Sequence, residues 1–367
     1  MGRNRPSKSR LRIKTLLLGA AFVAAATGMA EAADQVLLRA REGAAAMLRG
    51  QYDRAVALYD EAVGTPDVSK FVLASIYSDR GVAKWQMKQT KEAIDDFNES
   101  IQLAPDNAIV YNNRGNALMD LGHPEEAIKD FDRAIALDPN YGAAYNNRGN
   151  AYAALQNYDA AFQSFRKATA LLSRTAAPYN GRGRAHMERD RYHAALRDLD
   201  RSIKIDPKLA AAYRNRAAVN FELGNYSEAA EDATEALDLE PEQDKAKLFM
   251  LRARAYAAEN SFREGIADFD RVLDLEPEKA DEFIERGELL AKNKRYDAAI
   301  ELANQYTSMQ RHAEAADLID RYAPALGNSP MYLDLAGTVY AEMGVPQKAW
   351  PLYQKANKLQ PGVDLFQ

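Results

Sequence analysis

The side chains that most often catalyse reactions or bind metals are scarce in this sequence. It contains no cysteine, which excludes thiol catalysis, disulfides and thiolate metal sites. Its four histidines show no His-Glu-x-x-His zinc motif; they are His123, His186, His193 and His312. Gly181 and Gly183 follow no strand pattern, so they are not read as a phosphate-binding loop. We therefore predict no metal, no cofactor and no enzymatic activity.

Asparagines and arginines recur at fixed positions in the middle of the chain. The set comprises Asn112, Asn113, Asn116, Asn146, Asn147, Asn150, Asn180, Arg184, Arg214 and Asn215. Asparagine disfavours a helix by up to about 0.7 kcal/mol relative to alanine, so this many of them need a compensating role. One role is recognition, because each carboxamide can donate to and accept from the backbone of an extended peptide. The other is bonding between neighbouring helices, and the sequence leaves both open.

These residues belong to an internal repeat. Its phase is set by a small residue, here called the reference residue, in nine units: Gly43, Gly81, Gly115, Gly149, Gly183, Ala217, Ala253, Gly287 and Gly337. Most neighbouring reference residues are 34 positions apart, and another small residue follows each of them by twelve. An aromatic residue commonly stands four positions before the reference residue, and a proline twenty-four after it. Small residues let two helices approach closely and proline ends a helix, so each unit is predicted to be a helical hairpin.

The clearest unit contains Tyr111, Gly115, Leu118, Ala127, Phe131 and Pro139. This order of residues resembles the tetratricopeptide repeat (TPR) family, and the resemblance extends from about residue 34 to 361. It implies an all-α, right-handed α-solenoid of about nine stacked hairpins. It also implies that the first helices line a concave groove that binds a protein or peptide partner.

Arginine stands immediately before the reference residue in seven units: Arg80, Arg114, Arg148, Arg182, Arg216, Arg252 and Arg286. Sixteen positions after five of them lies an aspartate: Asp96, Asp130, Asp198, Asp232 and Asp268. A half-buried guanidinium needs a carboxylate partner. We therefore predict ion pairs between helices in preference to a row of arginines that binds a ligand.

The spacing between Gly287 and Gly337 is 50 residues, sixteen more than the repeat. We interpret the excess as an inserted half-repeat near 304–330, with an additional helix over 311–326. The predicted organisation is a signal peptide at 1–32, a TPR solenoid at 33–308, the inserted helix at 309–330 and a terminal hairpin with its tail at 331–367.

The final helix of the chain carries Trp350 and Tyr353 close to the carboxyl terminus. The last unit of a solenoid has no neighbour to cover its apolar face. These two side chains are therefore candidates for a self-association interface that would make a homo-oligomer. The alternative is that both pack inward on Leu333 and Tyr340, with Leu365 and Phe366 folded back as a cap.

The first 32 residues have the pattern of an export signal. Six basic residues precede an uncharged stretch over 15–30, and Ala30 and Ala32 provide small residues for cleavage after Ala32. The mature protein is thus expected in the periplasm or outside the cell, without a lipid anchor and without membrane contact beyond the signal segment. An uncleaved anchor is the alternative, although the stretch is only marginally long enough to span a bilayer.

The formal charge of -5 and the pI of about 5.6 give no basic excess, so nucleic-acid binding is not expected. The sequence therefore predicts an exported scaffold that binds protein or peptide partners and catalyses no reaction. A structural or assembly factor that self-associates through its terminal hairpin is the alternative.

Overall fold

The computed structural model describes residues 30–65, 68–241, 245–276, 303–304, 306–307 and 310–360. All regular secondary structure in these residues is helical, which confirms the all-α prediction. The chain divides into two compact units, Met1–Arg189 (unit 1) and Asp190–Gln367 (unit 2). Unit 1 contains α1 (Ala30–Leu48), α2 (Tyr52–Val63), α3 (Lys70–Gln86), α4 (Thr90–Leu103), α5 (Ala108–Asp120), α6 (Pro124–Leu137), α7 (Gly142–Ala154), α8 (Tyr158–Leu171) and α9 (Ala176–Met187). Unit 2 contains α10 (Tyr192–Ile205), α11 (Ala210–Glu222), α12 (Tyr226–Leu239), α13 (Ala246–Ala258), α14 (Phe262–Leu275), α15 (His312–Leu326), α16 (Pro330–Glu342) and α17 (Pro346–Leu359).

Within each unit the helices form stacked hairpins. In unit 1 the pairs are α1 with α2, α3 with α4, α5 with α6, and α7 with α8; in unit 2 they include α11 with α12, α13 with α14, and α16 with α17. Each second helix of unit 1 also packs against the first helix of the next hairpin. The predicted stacking of hairpins into a solenoid is therefore confirmed.

The reference glycines allow the two helices of a hairpin to pack tightly. A Cβ atom on Gly115 would lie 2.6 Å from the Phe131 ring, and one on Gly337 would lie 2.6 Å from the Tyr353 ring. Both distances are too short for any side chain larger than hydrogen. Each aromatic ring, sixteen positions after its glycine, thus fills the space that the missing side chain leaves.

A left-handed backbone residue seven positions after the reference residue turns the chain into the second helix. Glycine occupies this position at Gly50, Gly122, Gly224 and Gly344, with φ between 72° and 78°. Glycine adopts this conformation without steric cost. Lys88, Gln156, Asn260 and Gln310 have the same conformation, with φ between 57° and 64°, although they carry a side chain.

Gln310 shows how α15 fits the repeat. Seven positions before it lies Ala303, which is buried, and the buried Ala315 follows Ala303 by twelve positions. Gly337 lies 34 positions after Ala303. Ala303 is therefore a reference residue, and α15, the helix predicted over 311–326, is the second helix of its hairpin.

The predicted half-repeat near 304–330 falls partly on residues outside the described ones, and its position stays a prediction. Gly287 and Arg286 lie outside the described residues. The domain boundaries that we drew from the sequence stay a prediction.

The predicted signal segment falls mostly on residues 1–29, outside the described residues, and α1 begins at Ala30. Over the part of the chain that the structure describes, no helix combines the length and the apolar character needed to span a membrane.

Candidate functional site

The predicted ion pairs of the arginine column are present. Arg114 donates to both carboxylate oxygens of Asp130, at 2.8 Å and 2.6 Å, so α5 is joined to the second helix of its own hairpin. The third nitrogen donates to Asn98 Oδ1 on α4, at 2.7 Å. One guanidinium thus connects three helices. Hydrogen bonding to Asp130 raises the pKa of Arg114, since the bonds favour the charged form.

The same arrangement recurs at three more arginines of the column. Arg80 binds Asp96 and Asp60, Arg216 binds Asp232 and Asp200, and Arg252 binds Asp268 and Thr234. Where serine replaces the aspartate, Arg148 donates to Ser164 at 3.1 Å and to Asp132 at 2.6 Å. The pairing prediction is confirmed for these arginines, and they hold the solenoid together instead of facing a ligand.

The asparagines of unit 1 occupy another face of the same first helices. The repeat places these asparagines at equivalent positions on α5, α7 and α9, and these helices lie side by side. We call the set the asparagine face; it comprises Asn112, Asn113, Asn116, Asn146, Asn147, Asn150 and Asn180. That it binds a partner stays a prediction.

Three of these asparagines bond to one another. Asn147 donates to Asn112 Oδ1 on the neighbouring first helix at 2.9 Å, and Asn146 donates to Asn147 Oδ1 at 3.1 Å. Asn112 is only 5% exposed. Asn112, Asn146 and Asn147 thus have the second of the two roles considered above, hydrogen bonding within and between neighbouring helices.

Other groups of the asparagine face lack a partner. Asn113 and Asn116 are half-buried, and their side chains form no hydrogen bond with any described residue. Asn146 Oδ1 is buried and accepts no hydrogen bond. Buried polar atoms are usually paired. These unpaired groups are therefore donors and acceptors that a bound partner can use.

Arg184 lies at the edge of the asparagine face, on α9. It approaches Asn150 Oδ1 at 3.5 Å and pairs with Glu188 at 3.6 Å, both of which are long distances. Gly181 permits the close approach of α9, because a Cβ there would lie 3.1 Å from Asn150 Oδ1 and 2.7 Å from the Phe165 ring.

Arg214 and Asn215 belong to α11 of unit 2. Arg214 forms an ion pair with Glu240 at 2.9 Å, and Asn215 is half-buried. Their role in binding a partner stays a prediction.

Sequence reasoning missed Asp79 on α3. It precedes its reference residue Gly81 by two positions, as Asn113 precedes Gly115, so the alignment of repeats could have identified it. Asp79 forms neither an ion pair nor a side-chain hydrogen bond with a described residue. Burial raises the pKa of Asp79 to about 7, and burial together with the nearby charge of Asp79 raises the pKa of Tyr59.

The two candidates at the carboxyl-terminal end have different environments. Tyr353 is half-buried with its ring against Gly337, and its hydroxyl bonds to Thr338 Oγ1 at 3.1 Å. Trp350 is 61% exposed. The inward packing that we gave as an alternative thus describes Tyr353 and not Trp350, while Leu365 and Phe366 lie outside the described residues.

Comparison with protein families identifies the repeat independently. Models described as tetratricopeptide repeat match residues 108–141, 131–163, 182–254 and 250–309, and a model described as TPR repeat matches residues 81–122. Together these matches extend over more than half of the chain, which belongs to the tetratricopeptide repeat family. No curated protein matches the sequence.

Solved structures share the fold. A tetratricopeptide repeat protein from Parabacteroides merdae is 20% identical with a TM-score of 0.54, over 70% of this chain and 98% of that one. The pilF protein of Pseudomonas aeruginosa is 15% identical with a TM-score of 0.53, over 61% and 100%. The Cut9–Hcn1 hetero-tetramer of APC/C contains a chain that is 16% identical with a TM-score of 0.53, over 90% and 62%. At such identities the likeness concerns the fold alone.

Proposed function

We propose that this tetratricopeptide repeat protein is a non-catalytic scaffold whose asparagine face binds an extended segment of a protein partner. Repeats of this family suggest a role in protein interaction. The proposal assigns that role to α5, α7 and α9 of unit 1.

The observation that supports it is the unequal use of the asparagines. Asn147 donates to Asn112 Oδ1, which joins two first helices, and Asn147 Oδ1 accepts from Asn146. Asn113, Asn116 and the Oδ1 atom of Asn146 remain unpaired beside them. A peptide backbone offers an N–H and a C=O at every residue, so it can use such groups whatever its side chains.

Site-specific crosslinking tests this assignment. A photoreactive residue is placed at Asn116 on the face, and as a matched control at Lys129, an exposed position on the second helix α6. Cell-envelope extract is then irradiated with each variant, and the crosslinked segment is identified by mass spectrometry and synthesised. We expect position 116 to capture a segment that position 129 does not.

The synthetic segment then gives a quantitative check. The double variant Asn113→Ala with Asn116→Ala should weaken its binding about tenfold, because each neutral hydrogen bond contributes about 0.5–1.5 kcal/mol. Lys129→Ala should leave the affinity unchanged. Equal capture at both positions, or unchanged affinity in the double variant, would show that the asparagine face is not the site.

We further propose that the protein acts outside the cytoplasm, which rests on the sequence of residues 1–32. Amino-terminal sequencing of protein from a fractionated bacterial host tests this. The expected sequence begins at Ala33 in the periplasmic fraction. Cytoplasmic protein that retains Arg3 to Lys14 contradicts it.

A second function, self-association, is favoured by the exposed apolar side chains of the terminal hairpin. Trp350, Leu359 and Met343 are 61%, 47% and 40% exposed. Sedimentation velocity of Trp350→Gln tests it, with Leu239→Gln on α12 as the apolar-to-polar control. An oligomer that dissociates only in the Trp350 variant supports this function, whereas a monomer in the unaltered protein excludes it.

A further inference from the structure

Unit 2 contains a cavity of about 410 Å³ on the first helix α16. The described residues that line it are Asn304, Thr307, Met331, Asp334, Leu335, Thr338 and Glu342. A cavity of this size is within the range that binds small ligands or an inserted side chain.

The repeat shows that this cavity corresponds to the asparagine face of unit 1. With Ala303 and Gly337 as reference residues, Asp334 takes the position of Asn112 and Asn146, three residues before the reference residue. Leu335 takes the position of Asn113. The surface is thus built on the same plan, but an acidic group and an apolar group replace two carboxamides.

Asp334 carries a buried polar atom of the cavity that has no partner. Its Oδ1 atom is buried and accepts no hydrogen bond, and burial raises the pKa of the carboxyl. Thr307 Oγ1 donates to the Ala303 backbone carbonyl at 2.9 Å, and Thr338 Oγ1 donates to the Asp334 backbone carbonyl at 3.1 Å. Glu342 Oε2 lies 3.1 Å from His312 Nδ1, and Asn304 and Glu342 are exposed.

A buried carboxylate without a partner is costly, and a cation that enters the cavity would remove that cost. The walls decide which kind of cation fits. Met331, which is 66% exposed, and Leu335 are apolar and can contact a hydrocarbon stem. Among the described residues no group of three or more His, Asp, Glu or Cys side chains could hold a metal ion.

We infer that this cavity binds a basic side chain of a protein partner, with the alkyl stem against Met331 and Leu335 and the charged end at Asp334. It is a second binding site, in a different unit from the asparagine face and independent of it. Its specificity is for charge, whereas the carboxamides of unit 1 suit a peptide backbone.

Methyl NMR of the full-length protein tests this inference directly. Methionine methyl groups are labelled with ¹³C, and the Met331 signal is assigned from a Met331→Leu variant. The probe is Nα-acetyl-lysine methylamide, and the matched neutral probe is Nα-acetyl-norleucine methylamide, which has a similar stem without the charge. We expect the lysine probe to shift the Met331 signal saturably and the norleucine probe to leave it unchanged.

Asp334→Asn should weaken binding of the lysine probe by about tenfold or more, because the charged acceptor is lost. Glu99→Gln, at an exposed position on α4 of unit 1, removes the same charge elsewhere and should have no effect. The melting temperature of Asp334→Asn should equal or exceed that of the unaltered protein, because the variant removes an unpartnered charge.

Three results would overturn the inference. They are equal shifts with both probes, undiminished binding in Asp334→Asn, and a Met331 shift produced by calcium chloride but not by the lysine probe. The asparagine-face variants do not alter this cavity. Failure here therefore leaves the proposed function of unit 1 untouched, and the converse also holds.

Discussion

Asn113 and Arg114 are adjacent in the sequence, yet their side chains have opposite roles. Arg114 is held by Asp130 and Asn98 through three hydrogen bonds, whereas Asn113 has no partner among the described residues. In an α-helix each residue is rotated by about 100° from the one before it. The two side chains therefore meet different neighbours.

The comparison shows that the role of a polar side chain in this repeat depends on which side chains of neighbouring helices lie opposite it. On the arginine side the second helix carries an aspartate at a fixed position in five of the seven units that have the arginine. On the asparagine side no described residue forms a hydrogen bond with the side chains of Asn113 and Asn116, so these groups remain unpaired.

The largest expected effect concerns the arginine side. Asp130→Ala removes the buried partner of Arg114 and should destabilise the protein by about 3–5 kcal/mol, because a guanidinium that is largely shielded from water is left uncompensated. Asp60→Ala is the control, since its carboxylate is 55% exposed and Arg80 keeps its buried partner Asp96, so the change should cost at most about 1 kcal/mol. Urea denaturation measures both.

Because repeat proteins do not always unfold in one step, hydrogen exchange of the α5 and α6 amides provides a local measurement. We expect faster exchange there in Asp130→Ala only. Equal losses in the two variants would mean that burial of the carboxylate does not determine its contribution to stability.

A smaller effect is expected at Asp79, a carboxylate on the asparagine side. Its pKa is raised from 3.8 to about 7 in the folded protein, so the folded state binds a proton that the unfolded state releases. Stability attributable to this group therefore falls as the pH rises from about 4 to 7.

Asp79→Asn should remove this pH dependence. The free energy of unfolding should be unchanged near pH 4 and higher by about 2–4 kcal/mol above pH 7. Denaturation curves collected across the pH range for both proteins measure it. A variant less stable than the unaltered protein at pH 8 would show that Asp79 has a partner in solution.

The close packing of the two helices in a hairpin depends on the reference glycines. Gly115→Ala places a Cβ 2.6 Å from the Phe131 ring and should cost about 1–3 kcal/mol. Adding Phe131→Leu should recover part of the loss. Gly64→Ala is the control, because its nearest neighbour would be a backbone oxygen at 3.5 Å, and it should be neutral or slightly stabilising.

The smallest effects separate the asparagines from one another. Asn147→Ala leaves Asn112 Oδ1 without its donor and should cost about 1–2 kcal/mol. Asn113→Ala breaks no bond and should lie within about 0.5 kcal/mol, or stabilise the helix slightly. Thermal denaturation of the two variants measures this. Equal losses of stability would contradict the distinction between bonded and unpaired asparagines.

The hairpins were predictable because the repeat records them several times over. Gly115, Phe131 and Pro139 have equivalents in most units. The shared positions therefore predict the helix boundaries even where single units differ in sequence. The arginine pairs were predictable for the same reason, since Arg114 and Asp130 recur together sixteen residues apart.

Ala303 escaped this reasoning. Alanine is common throughout the chain, and the left-handed turn after it is formed by Gln310 and not by glycine, so no distinctive residue marks the unit. The glycine spacing therefore did not identify Ala303 as the residue that precedes Gly337 by one repeat.

The sequence by itself determined the family, the helical hairpins and the pairing of arginine with aspartate, because each depends on residues that recur with a fixed period. The tertiary structure alone decided which asparagines are already bonded, that Asp79 and Asp334 lack partners, and that Trp350 is exposed while Tyr353 is covered. The physical reason is that a period specifies which helix face a residue occupies. Whether its polar atoms are satisfied depends on side chains that only packing brings within hydrogen-bonding distance.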